Sequence, residues 1–193
     1  MRLILKIATS LVALIQAKEL NVGIFADVHL NLKYNPKVAE DSCGAINPYK
    51  TMPDFFQIDG QTPIALLGRL GCDPPLLTLE YLLQNFVKQH KNVNFLTLNG
   101  DLIVHGLAQD ATSYNNQDND KYTRLMNTHK VVQQTFTKYL PNTPIFLSFG
   151  NNDAKFHDNA PHFNEKSEYY TELYNMWFVN HPGNKKWNTP EVK

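Results

Sequence analysis

The chain has 193 residues, enough for one domain with a substantial core or for part of a larger one. Lysine plus arginine and aspartate plus glutamate number 18 each, so no excess of charge points to nucleic acid or to an anionic membrane surface. Any partner has to be read from motifs.

Residues 1–17 read as a secretory signal: Arg2 and Lys6 flank the start, Ile7 to Ile15 is mostly apolar, and Ala17 offers a small residue for cleavage. That stretch is too short to cross a bilayer comfortably, and no later run approaches the length needed. The mature chain, residues 18–193, is expected to be one soluble domain, secreted or lumenal, in an extracellular or lysosome-like setting. An amphipathic anchor or a buried first strand is the competing reading of the same residues.

Asn21 to Leu30, NVGIFADVHL, is the stretch around which the rest is organised. An apolar run with Val22, Ile24 and Phe25 predicts a strand, and it stops at Ala26. Asp27 and His29 follow two apart, and in extended backbone such side chains point the same way. A buried strand that delivers a carboxylate and an imidazole to its carboxyl end suits a metal site or an acid/base pair, since α/β proteins bind ligands at that end of the sheet. A capping Asp and a surface His are the plain alternative.

Asn31 to Pro75 is a long segment with six prolines and both cysteines, Cys43 and Cys72. Loops of that length are usually functional or disordered. In an oxidising compartment the two cysteines have no other intramolecular partner, so a single bridge is expected, contributing roughly 3–4 kcal/mol in the chain-entropy account. Two free buried thiols are the alternative. Leu76, Leu79, Leu83, Phe86 and Val87 recur at spacings of three and four, which predicts an amphipathic helix over Leu76–Lys91. Val93–Leu98 then predicts a second strand, ending at Asn99-Gly100-Asp101 with His105 four residues after the aspartate.

Ser113–Asp120 is polar and of low complexity. Tyr122, Leu125, His129, Val132, Phe136 and Tyr139 predict a helix over Lys121–Leu140 that stops at Pro141, with His129 a satisfied core histidine on its apolar stripe. A third strand, Ile145–Phe149, ends at Gly150-Asn151-Asn152-Asp153. A last helix is expected over Ser167–Phe178, with Tyr170, Leu173, Tyr174, Trp177 and Phe178 on one face. His157, His162 and His181 lack metal-ligand spacing, and surface or cap roles are expected for them.

Three successive strands therefore end in Asp-x-His, Gly-Asp and Gly-Asn-Asn-Asp, and a parallel βαβαβ unit brings such ends together along one edge. Carboxylate, imidazole and amide donors without thiolate suit zinc, manganese or iron. Two such ions, bridged by one carboxylate roughly 3.5–4 Å from each other, both activate a water and clamp a phosphoryl group. Asp101, on the middle strand in chain order, is the natural bridge.

These residues resemble the calcineurin-like metallophosphoesterases, whose pattern runs DxH, GD and GNH followed by an acid. Within that superfamily the chain is similar to the acid sphingomyelinase-like phosphodiesterases: GDLIVH carries His105, and Gly68-Arg69-Leu70-Gly71-Cys72-Asp73 is similar to their GRYGCD segment. The resemblance covers Asn21 to Asp153. It implies Asp27 and His29 on one metal, Asp101 bridging, Asn151 on a second metal, zinc as the expected ion, and His105 as the group that protonates the leaving oxygen or stabilises the transition state. It further implies a phosphodiester substrate, a small molecule or a lipid head group, and no nucleic-acid partner.

Asn152 departs from the family's second histidine. It stands in the catalytic position but donates a hydrogen bond without supplying a proton, which shifts acid catalysis to His105. The GNND form also resembles endopolyphosphatases, so polyphosphate is an alternative substrate. The saposin-like domain of sphingomyelinase itself has no counterpart here, which favours saposin-free relatives. The later GH and GHxH segments of the family are likewise without a counterpart, so the expectation is the amino-terminal half of a two-layered β-sandwich, incomplete at its carboxyl end. On that expectation the chain is a fragment, a truncated product or a non-catalytic remnant that binds metal weakly and turns over an aryl phosphodiester poorly or not at all. A nucleotide-binding module is disfavoured, because no phosphate-cradling glycine loop follows the first strand.

Overall fold

A computed structural model of the chain describes residues 19–34, 36, 66–68, 72–107, 119–154 and 168–187, without the side chains of 119–122 and 186–187. The signal segment, Cys43, His157, His162 and most of the proline-rich segment lie outside the described residues.

The elements run β1 (Val22–Phe25), α1 (Leu76–Gln89), β2 (Phe95–Asn99), α2 (Asn119–Tyr139), β3 (Ile145–Ser148) and α3 (Glu168–Tyr174). The three strands form a parallel sheet in the order β1-β2-β3, with Phe25 beside Leu98 and Leu98 beside Leu147. This is a mixed α/β fold with a parallel sheet and flanking helices. Because the strands advance in one direction across the sheet, right-handed crossovers carry α1 and α2 to the same face. The two helices do pack on each other.

Alternation along the strands settles which face is covered. Leu96, Leu98 and Ile145 are buried completely, and Phe25 meets Phe86 of α1 and Phe136 of α2 edge-on at 5.1 and 5.2 Å. On the opposite face Val22, Ile24 and Phe146 remain exposed. The core is therefore one-sided, between the sheet and the helix layer, and the strand ends rise from its rim.

Helix periodicity carried through with small boundary changes. Leu79 and Leu83 of α1, and Leu125, His129, Val132 and Phe136 of α2, are buried as the spacing selects, and Met126, Thr128 and Thr135 of α2 are buried as well. The last helix differs more. Its α-helical part ends at Tyr174 and continues as a π-helical turn, Asn175–Val179, so the buried stripe is Tyr169, Leu173 and Trp177, while Tyr174 is exposed. A wider turn lets Trp177 stay on the stripe.

His181 corrects the expectation of a surface or cap role: it is fully buried, and neither ring nitrogen has a hydrogen-bond partner. It sits just before a 3₁₀ turn, Pro182–Trp187, that seats Asn184 against β3. The Asn184 amide accepts from Ile145 N–H at 2.8 Å and donates to Ile145 C=O at 2.7 Å, pairing the outer edge of β3 like a fragment of strand. One side chain thus satisfies part of the outer edge of β3.

His129 is a core residue as expected, but only half satisfied. Nε2 lies 3.4 Å from the Tyr169 hydroxyl, and Nδ1 has no partner. Tyr169 spends its own proton on Asp153 C=O at 2.7 Å, so Nε2 is the donor toward it. Burial pushes the His129 pKa down to about 3. A histidine whose folded pKa lies below its unfolded one stabilises nothing by protonating; its stability is intact above about 6.5 and is lost as pH falls toward 3. His129→Phe is expected to flatten this slope, worth up to roughly 1.4 kcal/mol per pH unit inside the window. Urea midpoints at pH 7 and pH 5 check it: an unchanged slope in the variant would place the acid sensitivity elsewhere.

Candidate metal centre

Each strand ends where its ligand-type residues begin. Past β1 and β2 the two segments keep pairing through the turn: Asp27 N–H donates to Gly100 C=O at 3.2 Å, His29 N–H to Asp101 C=O at 2.8 Å and Leu30 N–H to Leu102 C=O at 2.9 Å. This continuation locks Asp-x-His to Gly-Asp. It also requires unusual backbone. Among the described residues, the non-glycine residues with left-handed φ are Asp27 (53°), His29 (41°) and Asp101 (52°).

The expectation that Asp27 and His29 share a side through extended backbone is therefore incorrect. They lie past the strand, and left-handed turns at both residues bring Asp27 Oδ1 to 3.9 Å from His29 Nε2. Left-handed backbone costs a side-chain-bearing residue roughly 1–2 kcal/mol, less for Asp. Such strain concentrates at functional sites.

Asp27, His29 and Asp101 each present a ligand atom within 4.8 Å of the others. The His29 Nδ1 lies 3.0 Å from Ile103 C=O, which fixes it as the N–H donor and leaves Nε2 facing the carboxylates as an acceptor. A ring held in this way is the usual outer-shell arrangement of a metal-ligating histidine. Two carboxylates and one oriented imidazole at a partly exposed rim fit a divalent first-row cation.

The third strand end joins through Asp101. Its Oδ1 accepts from the Asn152 backbone N–H at 2.9 Å and from the Asn152 side-chain amide at 3.2 Å. Asn152 is buried against this carboxylate, and its own Oδ1 has no partner. Asn151 lies one residue earlier on the same turn, exposed. Gly150 packs so close to Asp101 that a Cβ there would overlap the carboxylate, and a Cβ on Gly100 would overlap Gly150.

Asp153, to which the sequence assigned no function, clamps the two strand ends. One oxygen accepts from Leu102 N–H at 2.8 Å and Ile103 N–H at 3.3 Å, and the other accepts from Gly150 N–H at 2.9 Å. Burial pushes its pKa up to about 6, against those backbone donors, which favour the charged form.

His105 lies beside this cluster, its ring stacked on His29 with centroids 3.9 Å apart and planes at 19°. Asp73 holds it twice: Oδ2 accepts the His105 backbone N–H at 2.7 Å, and Oδ1 lies 2.8 Å from Nδ1. Sequence reasoning missed Asp73. The signal was the Gly-Cys-Asp segment, which carried a resemblance and was given no role.

A metal-dependent hydrolase is the class that this parallel layer and this donor set define. The model of the calcineurin-like phosphoesterase family matches residues 20–190, and the chain belongs to that family. It therefore carries a phosphoesterase domain of a metal-dependent kind. No helix among the described residues is long and apolar enough to cross a membrane.

Proposed function

We propose that the chain is a secreted phosphodiesterase of the acid sphingomyelinase-like kind, hydrolysing a sphingomyelin-like or nucleotide-like phosphodiester. In this reading Asp27, His29, Asp101 and Asn151 hold two divalent ions, zinc by expectation, and His105 protonates the leaving oxygen. Lumenal chemistry would include a Cys43–Cys72 bridge, a reading supported by the lack of free cysteine among the described residues.

The observation that carries the proposal is the position of His105, stacked on a ligand-type histidine and half-exposed beside the carboxylate cluster. Bound cations would supply positive charge against the phosphoryl oxygens and a more acidic water. The chain's own residues do the rest. Water adds to phosphorus, the ester P–O bond breaks, and the departing oxygen takes the Nε2 proton of a His105 imidazolium, which keeps its Nδ1–H and regains the Nε2 proton from solvent. The proton released by water passes to solvent. A histidine suits this task because imidazole exchanges a proton near neutral pH.

Leaving-group dependence tests it. With a pair of methyl aryl phosphodiesters, His105→Gln is expected to slow the phenyl ester by roughly 100-fold or more, the scale of general-acid catalysis. The 4-nitrophenyl ester, whose leaving oxygen needs little protonation, should lose less than about 5-fold. Equal losses on both esters would remove His105 from the acid role.

A further inference from the structure

Asp73 lies far from the three strand-end motifs in sequence, yet its carboxylate spans both the backbone and the ring of His105. Its side chain is 13% exposed, against 49% for His105. The segment that carries it is held on its carboxyl side: Pro74 C=O accepts Asn31 N–H at 2.9 Å, next to the turn of His29, and Pro75 leads directly into α1. Proline restricts the backbone of the residue before it as well as its own. A carboxylate so anchored has little freedom to leave the imidazole.

We propose that Asp73 is a positioning residue for His105, fixing the ring so that Nδ1–H faces the carboxylate and Nε2 faces the phosphoester. The proposal rests on the reading of His105 as proton donor and extends it to a second residue that never touches substrate. Two hydrogen bonds set the ring in place. Accepting from the backbone N–H fixes the Asp73 oxygens relative to the main chain, and accepting from Nδ1–H then fixes the tautomer and the ring plane. The parallel stack on His29 removes the remaining freedom to rotate. Two imidazoles are thus aimed by the same device: Ile103 C=O holds Nδ1 of His29, and Asp73 Oδ1 holds Nδ1 of His105.

Asp73, His29 and His105 also present ligand atoms within 4.8 Å of one another, so direct metal ligation by Asp73 is the rival arrangement. The test separates them. In metal-free protein, ¹⁵N-histidine NMR, with His105 assigned by the signals lost in His105→Gln, is expected to show the Nδ1–H tautomer. Asp73→Asn should convert it to a mixture or to Nε2–H. In the zinc-loaded chain, Asp73→Asn should keep the wild-type metal content. It should slow the phenyl ester roughly 10- to 100-fold, a part of the general-acid contribution, with the 4-nitrophenyl ester nearly unchanged. The double variant Asp73→Asn, His105→Gln should be no slower than His105→Gln alone.

An unchanged His105 tautomer in Asp73→Asn, or loss of metal from it, would overturn the proposal. If His105→Gln shows its leaving-group selectivity and Asp73→Asn does not, only the positioning role fails. If His105→Gln itself shows none, the acid reading fails and the catalytic part of this proposal falls with it.

Discussion

Asp101→Asn is expected to lower phosphodiester hydrolysis by about a thousand-fold, near 4 kcal/mol of transition-state stabilisation, and to weaken metal binding by roughly 100-fold or more. Asn is the informative replacement because it keeps everything except the charge. It tolerates left-handed backbone, and its carbonyl oxygen still accepts the two Asn152 donors that reach Oδ1 today. The fold should therefore hold within about 1 kcal/mol. Stability in the presence of zinc supplies the second readout. A cation that binds only the folded chain raises the melting temperature with its concentration, and a variant that has lost the site does not respond. Wild-type metal content and a wild-type zinc response in Asp101→Asn would show that Asp101 is not a ligand.

Much of the scaffold was legible because it rests on periodicity. Spacings of three and four predicted both long helices, and Leu79, Leu83, Leu125, His129, Val132 and Phe136, all selected by those spacings, are buried. The strand ends were legible for a different reason: an apolar run that stops at Asp or Gly-Asp is visible without knowing the backbone. What sequence could not supply was the route from strand end to ligand. Three left-handed residues, Asp27, His29 and Asp101, gather the donors, and although Asp and His adopt such backbone more readily than most side chains, that preference does not say at which positions they will. His181 was misplaced for a similar reason. Its burial comes from the packing that seats Asn184 on the edge of β3, a contact 39 residues apart in the chain. Asp73 was missed because its partner, His105, is 32 residues away and joined to it by no local pattern.

Glycine substitutions at the two crowded strand ends should separate the cost to the fold from the cost to the site. Gly100 combines φ of 77° with a Cβ direction that runs into the backbone nitrogen of Gly150. Gly100→Ala must therefore bear both a left-handed penalty, about 1–2 kcal/mol, and a backbone overlap that no side-chain rotation relieves, about 1–3 kcal/mol more. Its urea midpoint should fall accordingly. Gly150 has no left-handed φ, and part of what its Cβ would meet is the Asp101 carboxylate. The Asp101 side chain can move away but its backbone nitrogen, 2.6 Å from that Cβ, cannot, so Gly150→Ala should cost roughly 1–3 kcal/mol, less than Gly100→Ala because no left-handed penalty is added, and at the expense of the ligand geometry. Movement of Asp101 would also break its two hydrogen bonds from Asn152, uncoupling β3 from the site. Metal content should then fall more steeply in Gly150→Ala than in Gly100→Ala, although Gly100→Ala is the less stable protein. A Gly150→Ala chain that retains its metal and its turnover would mean that the carboxylate beside it can be displaced without consequence, and Asp101 would lose its place at the centre of the site.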